Sequence, residues 1–335
     1  MATDVDPMDD AKSDLSGETL CNPEHPQSFL DDHSDKTQLR RFKSTRSEVI
    51  FVVSVSVSTS LCGYTLMGFP ALLPTLVDAF RLEGASSTWL AIVVPLALAT
   101  SLLPFRRLVE RIGPLPVFQC GLSWTLIWTL FAGVSSNHVM LIACRAMQGL
   151  GVAAHFFSGA TLLSDLYSPG LRKDRVFLLH ELMEILGSFL GILVAGLSSQ
   201  YLSWRWFFWV AAMFALQALV GSSLTAPESL KTCSKSPKVP MDLLGCVTTA
   251  SALILTACWV VEFPHAPQGW RTPYLLATEV LSMASLGFAI YVEGWVAEKP
   301  ILPLTILETR RVGPLLVGLF FGYGAMGLYV LYTVF

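Results

Sequence analysis

The chain has 335 residues, of which 53% are hydrophobic and only 14% are charged, and its formal net charge is -3. A typical soluble domain carries about 25% charged residues, so this composition argues against a soluble protein and favours an integral membrane protein. The seven cysteines are scattered and form no CxxC pair, which argues against a disulfide framework or a zinc site. Neither nucleotide-binding glycine motif occurs, so ATP-driven pumping by this chain is not expected.

The first 48 residues change from acidic to basic. Residues 4–35 hold ten acids against one lysine, and five bases then precede the first apolar run: Lys36, Arg40, Arg41, Lys43 and Arg46. A segment rich in Asp, Ser and Pro has too little apolar surface to form a core, so residues 1–48 are predicted to be a disordered tail. No basic n-region followed by a short apolar stretch opens the chain, so no cleavable signal peptide is predicted.

Nine apolar runs of membrane-spanning length follow the tail, and each is predicted to be a helix because a helix satisfies its own backbone in lipid. The runs cover residues 49–77, 84–105, 114–134, 138–163, 176–202, 206–224, 243–261, 274–292 and 312–335. The first run contains Gly63, Gly68, Pro70 and Pro74, which predict a kink or a tapered end. The predicted fold class is therefore all-α and integral to the membrane.

The connections between the runs alternate in charge. Bases stand before the first run and after the second, fourth, sixth and eighth, whereas the other connections carry little charge. By the positive-inside rule, this alternation predicts that the N-terminus is cytoplasmic.

An arginine lies inside the fourth run, in the stretch Arg145-Ala-Met-Gln148-Gly149. A guanidinium at the centre of a membrane helix costs about 2.5–3.5 kcal/mol or more, so such a residue needs an inward-facing partner and is a functional candidate. The alternative is that Arg145 snorkels to the interface, since only seven residues separate it from His138. The residues alone leave both interpretations open. Gly149 would let a neighbouring backbone approach closely.

Several motifs occur in a fixed order along the chain. They are the RxxQG stretch at residues 145–149, PGLRK at 169–173, SWRWFFW at 203–209, GWRTPY at 269–274 and PILP at 300–303. Together they resemble the major facilitator superfamily, and more narrowly its fungal fourteen-helix drug:proton antiporters of the aminotriazole-resistance type. In that family RxxQG lies on the cavity-lining face of the fourth helix and is linked to proton coupling.

The sequence departs from the family in the connection after the second helix. The family motif G-R-L-G-D-x-x-G-[HR]-[KR] is thought to latch the two halves of the transporter, whereas residues 106–115 read RRLVERIGPL. The acid is kept as Glu110 and one glycine as Gly113, but the trailing bases are replaced by Pro114 and Leu115. The resemblance therefore implies a gating loop of altered character that contains Glu110, Arg111 and Gly113.

The fifth run also departs from the family pattern GxxxGPxxGG. Here the proline position is Ile192, but small residues at four-residue spacing remain. We therefore expect Gly187, Gly191 and Gly196 to pack closely against a neighbouring helix, as Gly149 does in the fourth run. The acid that many relatives carry in the first helix aligns with Thr65, which offers no proton site.

Ionisable residues cluster in the fifth run. His180 and Glu184 are one turn apart, and Glu181 precedes Glu184 by three residues, so all three are expected to share a broad face. A carboxyl in a low dielectric is suited to exchange a proton near neutral pH. The alternative is that the helix starts near Val176, so that these side chains lie at the cytoplasmic interface and pair with the arginines after the fourth run.

The family layout implies five segments: a tail over residues 1–48, a six-helix bundle over 49–227, a loop over 228–242, an extra hairpin over 243–292, and a loop with the first helix of a second half over 293–335. Five helices of that second half would be missing. The expected function is proton-coupled efflux of a small organic molecule, such as a drug, toxin or secondary metabolite, without enzymatic activity. The alternative is a truncated protein that does not transport, or a half-transporter that depends on a second chain.

The expected partners are protons, a small-molecule substrate and the lipid bilayer, with no nucleic acid, metal or cofactor. The residues assigned to proton coupling and the substrate cavity are Arg145, Gln148, Glu184 and Glu181. The plasma membrane is the first expectation for the location, and the vacuolar membrane is the alternative.

Overall fold

The structure, a computed structural model, describes residue 42 and residues 44–82, 84–227, 230, 243–266, 272–292 and 312–334. The predicted tail up to residue 41 lies outside the described residues, as do nearly all of the loop at 228–242 and the loop at 293–311. Within the described ranges the chain forms nine α-helices and a short 3-10 helix, and no strand. The all-α fold class predicted from the sequence is confirmed.

The nine helices follow the nine predicted apolar runs. They are α1 (Thr45–Phe80), α2 (Ala85–Ile112), α3 (Pro114–Val134), α4 (His138–Leu166), α5 (Leu171–Tyr201), α6 (Arg205–Thr225), α7 (Leu243–Glu262), α8 (Pro273–Tyr291) and α9 (Val312–Val334). Eight helices of the described chain are long and apolar enough to cross a membrane. The protein is therefore a multi-pass integral membrane protein.

The first helix is longer than its apolar run. It begins at Thr45 because the Ser44 side chain accepts a hydrogen bond from the Arg46 backbone N–H at 3.3 Å. It ends where Arg81 adopts a left-handed conformation, with φ at 51°. Both prolines of the first run lie inside this one helix, whose 36 residues span about 54 Å, well beyond a hydrocarbon core of about 30 Å.

Helix α1 is the centre of the bundle formed by the first six helices. It packs against α5 and α6, while α4 packs against α2 and α3. Tyr64 on α1 joins the core through its hydroxyl, which donates to the Phe207 carbonyl at 2.9 Å, and through its ring, which lies 4.6 Å from the Phe207 ring. Tyr64 and Phe207 are both fully buried. Tyr64 therefore ties α1 to α6, on which Phe207 lies.

Helices α7 and α8 form a hairpin that packs along α2. Within the hairpin, the hydroxyls of Thr256 and Ser282 lie 2.6 Å apart. Between α2 and α7, the Trp89 indole N–H donates to Glu262 Oε1 at 3.1 Å. Large apolar side chains are exposed on α8 and on α9, for example Val280 and Met283 on α8 and Phe320 and Phe321 on α9.

Candidate functional site

The guanidinium of Arg145 lies in the interior of the bundle. Arg145 is only 1% exposed, and its Nη1 donates to Gln148 Oε1 at 3.0 Å. Its Nη2 donates to the backbone carbonyl of Thr65 on α1 at 3.5 Å. The guanidinium carbon also lies 3.7 Å from the centre of the Phe69 ring, which is a cation–π contact. A snorkelling side chain would place its guanidinium at the interface, whereas that of Arg145 is enclosed by these contacts.

Gln148 extends the Arg145 contacts to a third helix. Its Nε2 donates to Thr129 Oγ1 on α3 at 2.7 Å, and Gln148 itself is fully buried. The polar chain therefore runs from α1 through α4 to α3. Both side chains are buried in the described part of the chain, with the guanidinium against the Thr65 carbonyl and the Phe69 ring of α1. That they line the substrate cavity stays a prediction.

The Arg145 charge is balanced by dipoles and a ring. Among the residues that the structure describes, no carboxylate forms an ion pair with Arg145, and its Nε has no hydrogen-bond partner. A buried cation normally has an anionic partner, since isolated charges are costly to remove from water. The arrangement therefore has a fixed positive charge and an unused donor inside the bundle.

Gly149 brings α2 against α4 directly beside this charge. A Cβ at Gly149 would lie 2.7 Å from the Ala97 Cβ and 2.9 Å from the Val94 carbonyl oxygen. Contacts this short leave no room for any side chain, so only glycine fits at this crossing. The close approach closes the site from the α2 side.

Helix α5 approaches α1 in the same way at two glycines. A Cβ at Gly187 would collide with the Ser60 carbonyl, and a Cβ at Gly191 would lie 2.5 Å from the Tyr64 carbonyl oxygen. The expectation for Gly196 is wrong, because no described atom lies within 4 Å of the position of its Cβ. Nine residues after Gly187, a helix of 3.6 residues per turn has rotated by about half a turn, so Gly196 faces away from α1. Ala195, which is fully buried, continues the packing stripe instead.

The ionisable residues of α5 differ in burial. His180 is 2% exposed, and its Nε2 lies 2.9 Å from Thr59 Oγ1 on α1. Glu184 is half-buried, with its backbone carbonyl against Gly63 of α1, whereas Glu181 is exposed. The three residues therefore span about 100° of the helix surface, with His180 at the buried edge of that arc and Glu181 at the exposed edge. Glu184 is the acid that lies beside α1.

The predicted gating loop is mostly helical. Residues 106–112 form the last two turns of α2, where Glu110 pairs with Arg107 at 2.9 Å and with Arg106 at 3.5 Å. These i,i+3 and i,i+4 pairs of Glu110 stabilise a helix where the sequence predicts a loop. Arg111 lies in the same final turn. Gly113 alone separates α2 from α3, and its φ of 97° requires a glycine there.

A second charged cluster was not found from the sequence. It lies where α1 begins and α4 ends, and it contains Glu48, Tyr167 and Arg172. Arg172 Nη2 donates to both carboxylate oxygens of Glu48, at 2.9 and 3.0 Å, and the Tyr167 hydroxyl donates to Glu48 Oε1 at 2.6 Å. Burial, followed by the hydrogen bond to Glu48, raises the pKa of Tyr167, so its hydroxyl remains a donor. The sequence did carry a signal for this cluster, namely an acid at the start of the first apolar run and a base in the connection after the fourth run.

The described residues offer little to hold a metal. Within those ranges, no three His, Cys, Asp or Glu side chains come together. Of the described cysteines, Cys62, Cys120, Cys144 and Cys258 are free thiols. The chemistry available at the site is therefore that of a buried cation, a half-buried carboxyl and the polar groups of α1.

The comparisons with known proteins agree with this fold. Residues 55–335 match the Major Facilitator Superfamily. The chain is 30% identical over 309 residues to an efflux pump, terJ, of Aspergillus terreus, covering 90% of this chain and 58% of that protein. It is 28% identical over 297 residues to the aminotriazole resistance protein of Saccharomyces cerevisiae, covering 87% of this chain and 54% of that protein.

A solved structure of the peptide transporter POT in complex with sulfate has the same fold. It aligns with a TM-score of 0.55 at 16% sequence identity, and the alignment covers 72% of this chain and 52% of that one. The chain thus spans about half the length of the proteins that it matches. The motif order, the helical bundle and these similarities lead to one conclusion: the chain belongs to the Major Facilitator Superfamily of membrane transporters, and its similarities include that family's fungal efflux and resistance proteins.

Proposed function

We propose that this chain contributes to the proton-coupled efflux of a small organic molecule, such as a drug, toxin or secondary metabolite. The observation that carries the proposal is the buried guanidinium of Arg145, held by neutral partners and without an ion-paired carboxylate in the described part of the chain. The names of the relatives, an efflux pump and a resistance protein, support export as the direction of transport.

In the proposed mechanism, α1 couples two groups on opposite sides of it. Arg145 contacts α1 at Thr65 and Phe69, and Glu184 lies against α1 at Gly63. When Glu184 releases its proton, its negative charge is attracted towards the fixed positive charge on the other side of α1. Protonation removes this attraction. The protonation state of Glu184 therefore changes the preferred packing of α1 and α5 against α4. Glu181 is exposed and contributes less.

The proposed domain organisation follows the family layout. Helices α1 to α6 form a first half, α7 and α8 are the extra hairpin, and α9 begins a second half. Substrates of such transporters bind near the membrane midplane between two halves that rock about the site. The remaining helices would come from a longer form of the protein or from a second chain.

The proposed orientation places the N-terminus in the cytoplasm, with the plasma membrane as the location and the vacuolar membrane as the alternative. The support is the one-sided charge of the connections. A single cysteine at Ile112, which is 53% exposed, would be labelled by a membrane-impermeant maleimide only after cells are permeabilised. The chain would first be cleared of its own cysteines, and labelling in sealed cells would reject this orientation.

The test of the function is export from cells that lack their own efflux pumps. Cells would be loaded with aminotriazole or with puromycin, and efflux measured with and without a proton gradient, in the chain and in a form extended to the length of its relatives. Gradient-dependent efflux that is lost in Arg145→Ala would support the proposal. Efflux that does not depend on the proton gradient, or that persists in Arg145→Ala, would contradict proton coupling at this site. Activity only in the extended form, or only with a second chain, would identify this chain as one part of the transporter.

A further inference from the structure

A groove of about 380 Å³ runs between the beginning of α1 and the end of α6. Its walls are apolar side chains on the outer surface of the bundle: Val49, Ile50 and Val53 on α1, and Val220 on α6. Between 38% and 56% of the surface of each of these residues is exposed. In a membrane protein, an apolar surface of this kind faces lipid.

The floor of the groove is closed by a helix contact. A Cβ at Gly221 on α6 would collide with the Ser54 side chain on α1, so the two helices touch there. The Ser54 hydroxyl donates to the Ile50 carbonyl at 2.8 Å, which satisfies it within its own helix. Gln217 adds one polar group to the lining. The groove is therefore a shallow apolar channel between two helices, with a shape that suits an alkyl chain.

One described base, Arg46, lies at the end of the groove. Arg46 is exposed, and it precedes Val49 and Ile50 by three and four residues, so it stands on the same stripe of α1 as the groove wall. The sequence immediately before it carries Arg40, Arg41 and Lys43. The sequence that follows α6 carries Lys231, Lys235 and Lys238. The start of α1 and the end of α6 line the same groove, and in the sequence basic residues adjoin both.

We propose that this groove binds one anionic glycerophospholipid from the leaflet on the basic side of the protein. An acyl chain lies along the groove between α1 and α6, and the phosphate-bearing headgroup is held by Arg46. Juxtamembrane bases attract anionic lipids electrostatically, and burial of acyl methylenes adds to that attraction. A zwitterionic lipid can fill the same groove, but it gains much less from the bases. Charge complementarity therefore selects an anionic headgroup.

The first experiment tests whether the groove prefers an anionic headgroup. Binding of phosphatidylserine and of phosphatidylcholine with identical acyl chains to the purified full chain would be measured by native mass spectrometry. We expect one tightly held phosphatidylserine, bound at least about five-fold more strongly than phosphatidylcholine, since one base near the surface is worth about that factor. Arg46→Gln should remove about five-fold of that preference. Arg175→Gln is the matched control, because Arg175 is an exposed base on α5, which is not one of the two helices that form the groove.

The groove is tested with a pair of tryptophans on α6. Val220→Trp fills the groove and should lower the retention of both lipids at least about five-fold, whereas Leu224→Trp adds the same ring one turn away, outside the lining. Equal binding of the two lipids, an Arg175→Gln effect as large as that of Arg46→Gln, or identical behaviour of the two tryptophan variants would each overturn the proposal. A photo-crosslinker at Val53 that captures the chain's own N-terminal segment or a second copy, instead of lipid, would also overturn it.

Discussion

Two arginines in this bundle are held in opposite ways. Arg145 lies in the interior, 1% exposed, with an amide oxygen, a backbone carbonyl and an aromatic ring as its partners. Arg172 lies beyond the end of α4, with 41% of its side chain exposed, and it pairs with the carboxylate of Glu48. The first charge has no ion pair within the described residues, whereas the second is neutralised by a direct one.

We propose that the two arginines have different roles, Arg145 in transport and Arg172 in stabilising the fold. An interior charge without an ion pair is costly, so its presence suggests a role in transport that outweighs the cost. The ion pair of Glu48 and Arg172, at the end of the bundle, ties the start of α1 to the first turn of α5. We therefore expect changes at Arg145 to abolish transport while the protein remains folded, and changes at Arg172 to weaken the fold while transport per folded molecule is preserved.

The largest expected effect is that of Arg145→Lys. Efflux in the complete transporter should fall at least about ten-fold, because lysine presents a point charge and cannot match the rigid fork that donates to Gln148 and Thr65. The measurement is gradient-driven efflux at matched membrane abundance, with Arg145→Ala as the reference for complete loss. Near wild-type rates with lysine would show that any cation suffices at this position, which would contradict the role proposed for the guanidinium.

The next effect concerns the close approach that encloses α1. Gly187→Ala should destabilise the fold by about 1–3 kcal/mol, because its Cβ would collide with the Ser60 carbonyl. Gly196→Ala is the matched control on the same helix. It should be neutral or stabilising by up to about 1 kcal/mol, since alanine is the better helix former and its Cβ meets open space.

Both glycine variants would be compared by the fraction that stays monodisperse in detergent after heating. Equal losses in the two variants would mean that the tight crossing of α1 and α5 does not control stability.

An effect on stability of similar size is expected at the anchoring site. Arg172→Gln should destabilise the fold by about 1–3 kcal/mol, because it leaves the mostly buried carboxylate of Glu48 without its ion pair. Glu48→Gln should cost less, since Arg172 can turn towards water. The same heating assay measures both, and Arg175→Gln is the exposed control.

Efflux per folded molecule should stay within about two-fold of wild type in these anchoring variants, because the cluster touches neither Arg145 nor Glu184. A complete loss of efflux in a well-folded Arg172→Gln variant would remove the distinction between the two arginines.

The smallest expected effect is a change of pH dependence. Glu184→Gln in the complete transporter should flatten the dependence of efflux on pH, because Glu184 is the half-buried acid beside α1. Glu181→Gln should leave the profile as it is, since Glu181 is exposed and only three residues away. The readout is efflux across a series of internal and external pH values. Identical profiles for both variants would place the proton site elsewhere.

The sequence by itself determined the membrane class, the places of the nine helices and the family. These follow from local properties, since an apolar run of sufficient length must form a helix in lipid to satisfy its own backbone. That Arg145 is a functional candidate could also be read from the sequence, because a charge inside such a run is unusual wherever it points. Helix ends were less predictable, since Ser44 and the pairs of Glu110 extend α1 and α2 beyond their apolar runs.

Only the tertiary structure decided what each of these residues touches. Arg145 donates to a carbonyl 80 positions away, and the bond between Glu48 and Arg172 joins residues 124 positions apart. No local pattern specifies such pairs, because they depend on which helices cross and at what rotation. The same reason explains why Gly196 faces away from α1 and why Glu181 and Glu184 have different surroundings. Helix crossing, set by glycines such as Gly187 and Gly191, decided these contacts.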